Sequence, residues 1–328
     1  MNLQRSFAEI SAFSILAGLA VSSCSGGGSL PSGASSPAQT FPRSGVQLLA
    51  ANALYVSDWY GKSVFRFVRN ASGTLQTPAG SSLVLPYNPG PIAIGSNGDL
   101  LVTDEDAESL FVYPKGAKGY DQPERELVLP FVPSCVAVDR VGDEFVGGFS
   151  NGYVAVYAPS AKGNAKTLQR IALPDGHPDV NGVAVDASGD MFVSDSNEVS
   201  EFTTPVTDPT LARAIVGTGQ QNSPTGMAPN NNSGELYVAN AGDSNILGYS
   251  ATANGKSGPN RTIASRNPPL IAPVGIALRG SVLYSTSGST ADGPPSILVL
   301  DAHEGSQSPR QVVTGSYLAL PIGVALGP

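Results

Sequence analysis

One phrase recurs along this chain at a nearly fixed interval. Its third copy runs from Val180 to Asp195: small and β-branched residues, a polar turn spanning Asp186 to Asp190, then a second apolar run ending in Ser194 and Asp195. Further copies begin at Pro91, Pro133, Pro224 and Pro273, and half of the phrase stands near each end, from Leu54 to Asp58 and from Pro321 to Leu326. Aligned on the centre of the second run (Val56, Val102, Val146, Val193, Val238 and Tyr284), the copies lie 46, 44, 47, 45 and 46 residues apart. A constant spacing in this range means stacked or radial units, none of which buries its apolar face alone.

Each unit reads as four short strands. In the unit that begins at Pro91 they are Ile92 to Ile94, Leu100 to Thr103, Ser109 to Tyr113 and Arg125 to Leu129. The turns between them are rich in Gly, Asn and Pro, and no apolar stripe of helical period follows residue 45. The abundance of Gly (38) and Pro (27) agrees with an all-β chain of many turns. Four strands per period of about 45 residues is the pattern of a β-propeller blade. The expectation is an all-β, six-bladed β-propeller over residues 46–328. The half phrases at the two ends supply a first strand and a second strand, so pairing them completes one blade from both termini and leaves no open edge.

The repeated wording is Pro-x-Gly followed by aliphatic residues, then Gly with an acid, then an aliphatic or aromatic strand ending in Asp or Asn. It resembles the NHL repeat. The unit with Pro224 and Gly226, Gly234 to Asn240, and Ile246 to Tyr249 carries the resemblance well. Two units depart from it, with Gly147 and Gly148, and with Ser285 and Thr286, where Asp or Asn is expected. Similar propellers of the gluconolactonase type hold calcium at the channel with Glu, Asn and Asp; propellers of the amidating-lyase type use zinc with several His.

The first 45 residues read as an address and a tether. Arg5 precedes an apolar run from Ile10 to Val21, too short for a comfortable membrane span. The run from Val21 to Cys24 resembles the lipobox of bacterial lipoproteins, which implies a signal peptide over 1–23 and lipidation of Cys24. Glu9 and the single opening charge depart from that pattern. Residues 24–45 are rich in Gly, Ser and Pro and read as a flexible tether. Ser25 after the Cys implies, by the same resemblance, sorting to the outer membrane or cell surface of a bacterium. With Cys24 lipidated, Cys135 has no partner and reads as a small buried hydrophobe.

The repeat places Asp58, Asp104, Asp195 and Asn240 at the ends of second strands, around one rim. Such residues bond the backbone of the next turn; a polar ring collecting a cation or sugar is the functional alternative. The x of Pro-x-Gly is expected to enter the central channel: Ile92, Ser134, Asn181, Thr225, Val274 and Ile322. None is charged, whereas calcium takes six or more oxygens, usually with carboxylates. Only His177 and His303 are available for zinc, and a catalytic zinc needs three protein ligands. The Gly-x-Ser-x-Gly match at Gly148 to Gly152 sits in a hairpin with no helix after it, unlike a nucleophile elbow. Trp59, Tyr60 and Tyr87 are aromatic candidates for gripping a ligand at the rim or for packing between blades.

The net charge of −8, with no run of clustered Lys and Arg, argues against a phosphate-binding surface and so against nucleic acid. The expected role is therefore a monomeric, lipid-anchored binding scaffold for a protein, peptide or glycan, with no cofactor; the alternative is a metal-dependent hydrolase or lyase of the lactonase kind, with calcium as the ion to test.

Overall fold

The computed structural model describes residues 53–71, 73–78, 82–174, 176–216, 221–288 and 293–327. The signal peptide and tether expected over residues 1–45, with Cys24, lie outside them. Six antiparallel sheets follow one another, each with four strands in spatial sequence. In the second blade these are Ile92–Ile94, Leu100–Asp104, Ser109–Tyr113 and Arg125–Val128. The first blade is built from both ends of the chain: Pro321–Leu326 pairs with Ala53–Asp58, in the register Leu54 to Leu326, Tyr55 to Ala325 and Val56 to Val324. The chain is a six-bladed β-propeller closed by its own terminal strands.

Burial explains the strand compositions. Second strands lie deep in the disc with a neighbouring blade on each face, and Ala53–Asp58, Leu100–Asp104 and Leu236–Asn240 are buried at every position. That is why they read as continuous apolar runs rather than alternating ones. The outer strands Arg125–Val128 and Gln169–Ala172 each bury a single side chain, Leu127 and Ile171.

Three devices join the blades. The first is at the axis. A Cβ on Gly182, Gly226 or Gly275 would collide with the main-chain oxygen of Thr225, Val274 or Ile322 in the next blade. The glycine of the repeated Pro-x-Gly therefore lets neighbouring first strands close around a narrow channel.

The second is a strap at the circumference. After the third strand, the wording Tyr-x-x-x-Ala-x-Gly occurs at Tyr113 to Gly119, Tyr157 to Gly163 and Tyr249 to Gly255. Each of these glycines pairs with the outer strand of the preceding blade. Gly119 N–H donates to Ser82 O (2.8 Å) and its carbonyl accepts from Val84 N–H (2.6 Å). Gly163 does the same with Glu126 and Val128, and Gly255 with Ala214 and Val216. The sixth blade repeats the device with a short strand, Ser306–Gln307, parallel to Arg261–Ser265 of the fifth. Each strap covers an outer strand edge that would otherwise present unpaired groups.

The third is a long polar side chain in the fourth strand. Arg125 donates to Ala161 O (2.7 Å) and pairs with Glu144. Arg213 donates to Ala251 O (2.6 Å) and Ala253 O (3.0 Å) and pairs with Glu201. Arg261 pairs with Glu235 inside its own blade (2.7 Å) and donates to Ala302 O of the next (3.3 Å), and Gln311 exchanges two hydrogen bonds of 2.8 Å with Leu75 across the seam between the last blade and the first.

Candidate functional site

The loops after second strands and those leading into first strands share one face, and the four polar residues singled out from the repeat all sit there. Their side chains point into their own loops. Asp58, Asp104, Asp195 and Asn240 are between 0 and 3% exposed. Asp58 Oδ1 accepts from Gly61 N–H (2.7 Å), and its Oδ2 accepts from Ala319 N–H (2.7 Å) and Leu320 N–H (3.1 Å). Asp104 Oδ1 accepts from Asp106 and Ala107, and Asp195 Oδ1 from Asn197 and Glu198. Asn240 Oδ1 accepts from Asn222 N–H (2.6 Å). Burial raises the pKa of Asp58 and Asp104 above the ordinary carboxylate value, against the lowering effect of these amide donors. The recurrence thus follows turn geometry, one residue per blade. Among the described residues, no three His, Cys, Asp or Glu side chains converge as metal ligands would.

The channel is narrow, and its wall is about evenly polar and apolar. Its cavity has about 90 Å³, and four of the six expected residues line it: Ile92, Asn181, Val274 and Ile322. Ser134 and Thr225 do not. Their hydroxyls turn sideways onto the next blade, Ser134 to Val180 O and Thr225 to Pro273 O (3.1 Å) and Val274 O (3.2 Å). A buried hydroxyl needs an acceptor, and the neighbouring main chain is the nearest one. Cys135 also faces the cavity; it is 4% exposed and burial pushes its thiol up to about 12, which keeps it an inert thiol.

Aromatic side chains divide by position. Trp59, 6% exposed, packs with Val274, Ile322, Leu320 and Phe149, drawing on blades one, three and six. It caps the channel on the loop face rather than reaching outward. Its neighbour Tyr60 is 60% exposed. Tyr87 is half-buried, stacks on Phe111 with centroids 5.0 Å apart and shares a hydrogen bond with the Tyr113 hydroxyl (3.0 Å).

One pairing was invisible in the sequence. His177, on the loop before the fourth blade, places Nδ1 3.0 Å from Asp195 Oδ2. Its side chain is about one-third exposed and that of Asp195 is 3% exposed. The two groups are close, but the angle between them makes no hydrogen bond, so the carboxylate does not fix the ring. Eighteen residues and a strand hairpin separate the two, and no motif spacing announces them.

No family model matches the chain, and no curated protein matches it. Solved structures do. A chain in the crystal structure of a nidogen/laminin complex superposes with a TM-score of 0.64 at 14% identity, covering 84% of this chain and 98% of that one. A protein of unknown function from Bacteroides caccae gives 0.62 at 12% identity, covering 84% and 99%. A streptogramin B lyase gives 0.53 at 13% identity, covering 86% and 89%. At these identities the likeness is one of fold, and it extends across the whole disc.

Proposed function

We propose that this protein is an NHL-like propeller held outside the cytoplasm by a lipid on Cys24, where it acts as a binding scaffold for a protein, peptide or glycan. The observation that carries the reading is the loop face. Its recurring carboxylates are engaged by their own turns, Trp59 caps the channel, and Tyr60 stands exposed on the resulting stiff surface. A rigid surface with an exposed aromatic loses little conformational entropy on binding. The similar chain from the nidogen/laminin complex comes from an assembly of proteins, which accords with this role.

A second reading, a hydrolase or lyase, rests on the closeness of the part-exposed His177 imidazole to the buried Asp195 carboxylate, 3.0 Å apart. The likeness to a streptogramin B lyase accords with it at the level of fold. Calcium separates the two in its metal-dependent form. The full chain is unfolded by heat in EDTA and again in millimolar calcium. An ion at about 100 times its Kd adds about 2.7 kcal/mol, or roughly 5–10 °C for a domain of this size. An unchanged midpoint is expected. A rise of that size sinks the scaffold reading and directs the search to calcium-dependent turnover.

A further inference from the structure

The seam between the first and second blades holds a cleft of about 320 Å³, apart from Trp59 and Tyr60 on the loop face. Tyr87, Phe111 and Tyr113 form its walls, and Tyr120, Asp121 and Gln122 its lip. Tyr120 is 79% exposed, the most exposed large hydrophobic side chain among the described residues. The walls are fixed before any ligand arrives. Tyr87 stacks on Phe111 and bonds the Tyr113 hydroxyl, and Tyr120 follows directly on the strap glycine Gly119, which is pinned to Ser82 and Val84. Burial and the neighbouring Tyr113 raise the Tyr87 pKa, so its hydroxyl keeps its proton and its hydrogen-bonding capacity.

The repeats supply an internal control. The residue after the strap glycine is Asn164 in the third blade and Lys256 in the fifth, where the second has Tyr120. The central residue of the third strand is Ala155 and Leu247 where the second blade has Phe111. Strap and strand therefore form without an aromatic at either position. Aromatic pairs pack at other seams as well, Phe65 with Tyr317 and Phe131 with Tyr153, but the exposed Tyr120 and the Phe111 beneath it are required by neither strap nor strand.

We infer that this cleft is a saccharide-binding site, taking one or two rings of a neutral glycan. Its volume lies at the small end of ligand pockets, which begin at about 300 Å³. A pyranose ring has a face of C–H groups and an edge of hydroxyls. The aromatic planes suit the face. Asp121 Oδ2 accepts from Lys118 N–H (3.0 Å) and Gln122 Nε2 donates to Tyr120 O (3.0 Å); the second carboxylate oxygen, the remaining amide groups and the tyrosine hydroxyls suit the edge, offering acceptors and donors together. The chain's net charge of −8 and Asp121 at the lip select against anionic sugars. Neither Trp59 nor Tyr60 lines the cleft, so it stands or fails independently of the role given to Tyr60.

The test is calorimetric titration of the full chain with a panel of neutral disaccharides (maltose, cellobiose, lactose, chitobiose and xylobiose), with a polyproline decapeptide as the competing arm. At least one disaccharide is expected to bind. Tyr120→Ala should weaken it about 5- to 10-fold, the loss of one stacking plane, with an unchanged melting curve because the side chain is exposed. Gln122→Ala should weaken it by a smaller factor, Tyr120→Phe should largely restore it, and Tyr60→Ala should leave it unchanged. Three results overturn the assignment: no disaccharide binding tighter than about 10 mM, binding indifferent to Tyr120→Ala, or Tyr120-dependent binding of the decapeptide alone.

Discussion

The Asp58 carboxylate holds three backbone N–H groups from two pieces of chain, its own turn at Gly61 and the segment at Ala319 and Leu320. Asn at this position would turn an NH2 group toward some of those donors, so Asp58→Asn should cost about 1–3 kcal/mol at neutral pH, read by urea unfolding. The pH dependence has a definite sign. Burial raises the folded-state pKa of Asp58 above the ordinary carboxylate value of 3.8. Its linked contribution to stability is therefore fully present below that value and is lost as pH rises through the folded pKa. Asp58→Asn should flatten the fall in stability as pH rises above 3.8; an unaltered slope would refute the linkage. That Asp58 serves a turn was legible from its place at a strand end. Its reach to Ala319 was not, because 261 residues separate the partners and only the closed ring brings them together.

The third blade departs from the repeat with Gly147 and Gly148, and packing explains both. A Cβ on Gly147 would strike the side chains of Val180 and Cys135, and one on Gly148 would strike Phe131 and lie 2.6 Å from Val132 O. Restoring the consensus acid with Gly148→Asp should therefore destabilise the protein by about 2–3 kcal/mol or more, through overpacking and a buried charge without room for its loop. A thermal midpoint equal to wild type would contradict this. Strand positions in the second blade were legible to within one residue: the second strand continues to Asp104, and the fourth ends at Val128. Those limits are set by hydrogen bonding across the ladder, which residue type marks only loosely. The strap wording Tyr-x-x-x-Ala-x-Gly was present three times, yet it stood out only once its glycines were seen paired to the preceding blade. The aromatic cleft escaped notice for a related reason: Tyr87 and Tyr120 lie 33 residues apart on different blades, and only the seam brings them to one cavity.

At the scale of the molecule, the number of blades and the mode of closure could be counted from the spacing of one phrase, whereas nothing in that spacing names a ligand. The proposed anchor also belongs to this scale. Labelling with palmitate and fractionation of a bacterial host should find the wild-type chain acylated and in the membrane fraction, and Cys24→Ala unlabelled and released. A Cys24→Ala chain that stays with the membranes would remove the lipid reading. The closing strand has a further consequence, which concerns time. Ser57 Oγ accepts from the N–H of Gly323, 266 residues later in the chain. Ala53–Asp58, buried throughout in the finished disc, emerges during synthesis or export before the other five blades, and its partner Pro321–Leu326 follows them. Between those moments one edge pairs with Ser63–Val68 and the other stays uncovered, its native partner not yet made. The interval is when the chain is most open to wrong pairings, and when a holding chaperone would do most for its yield.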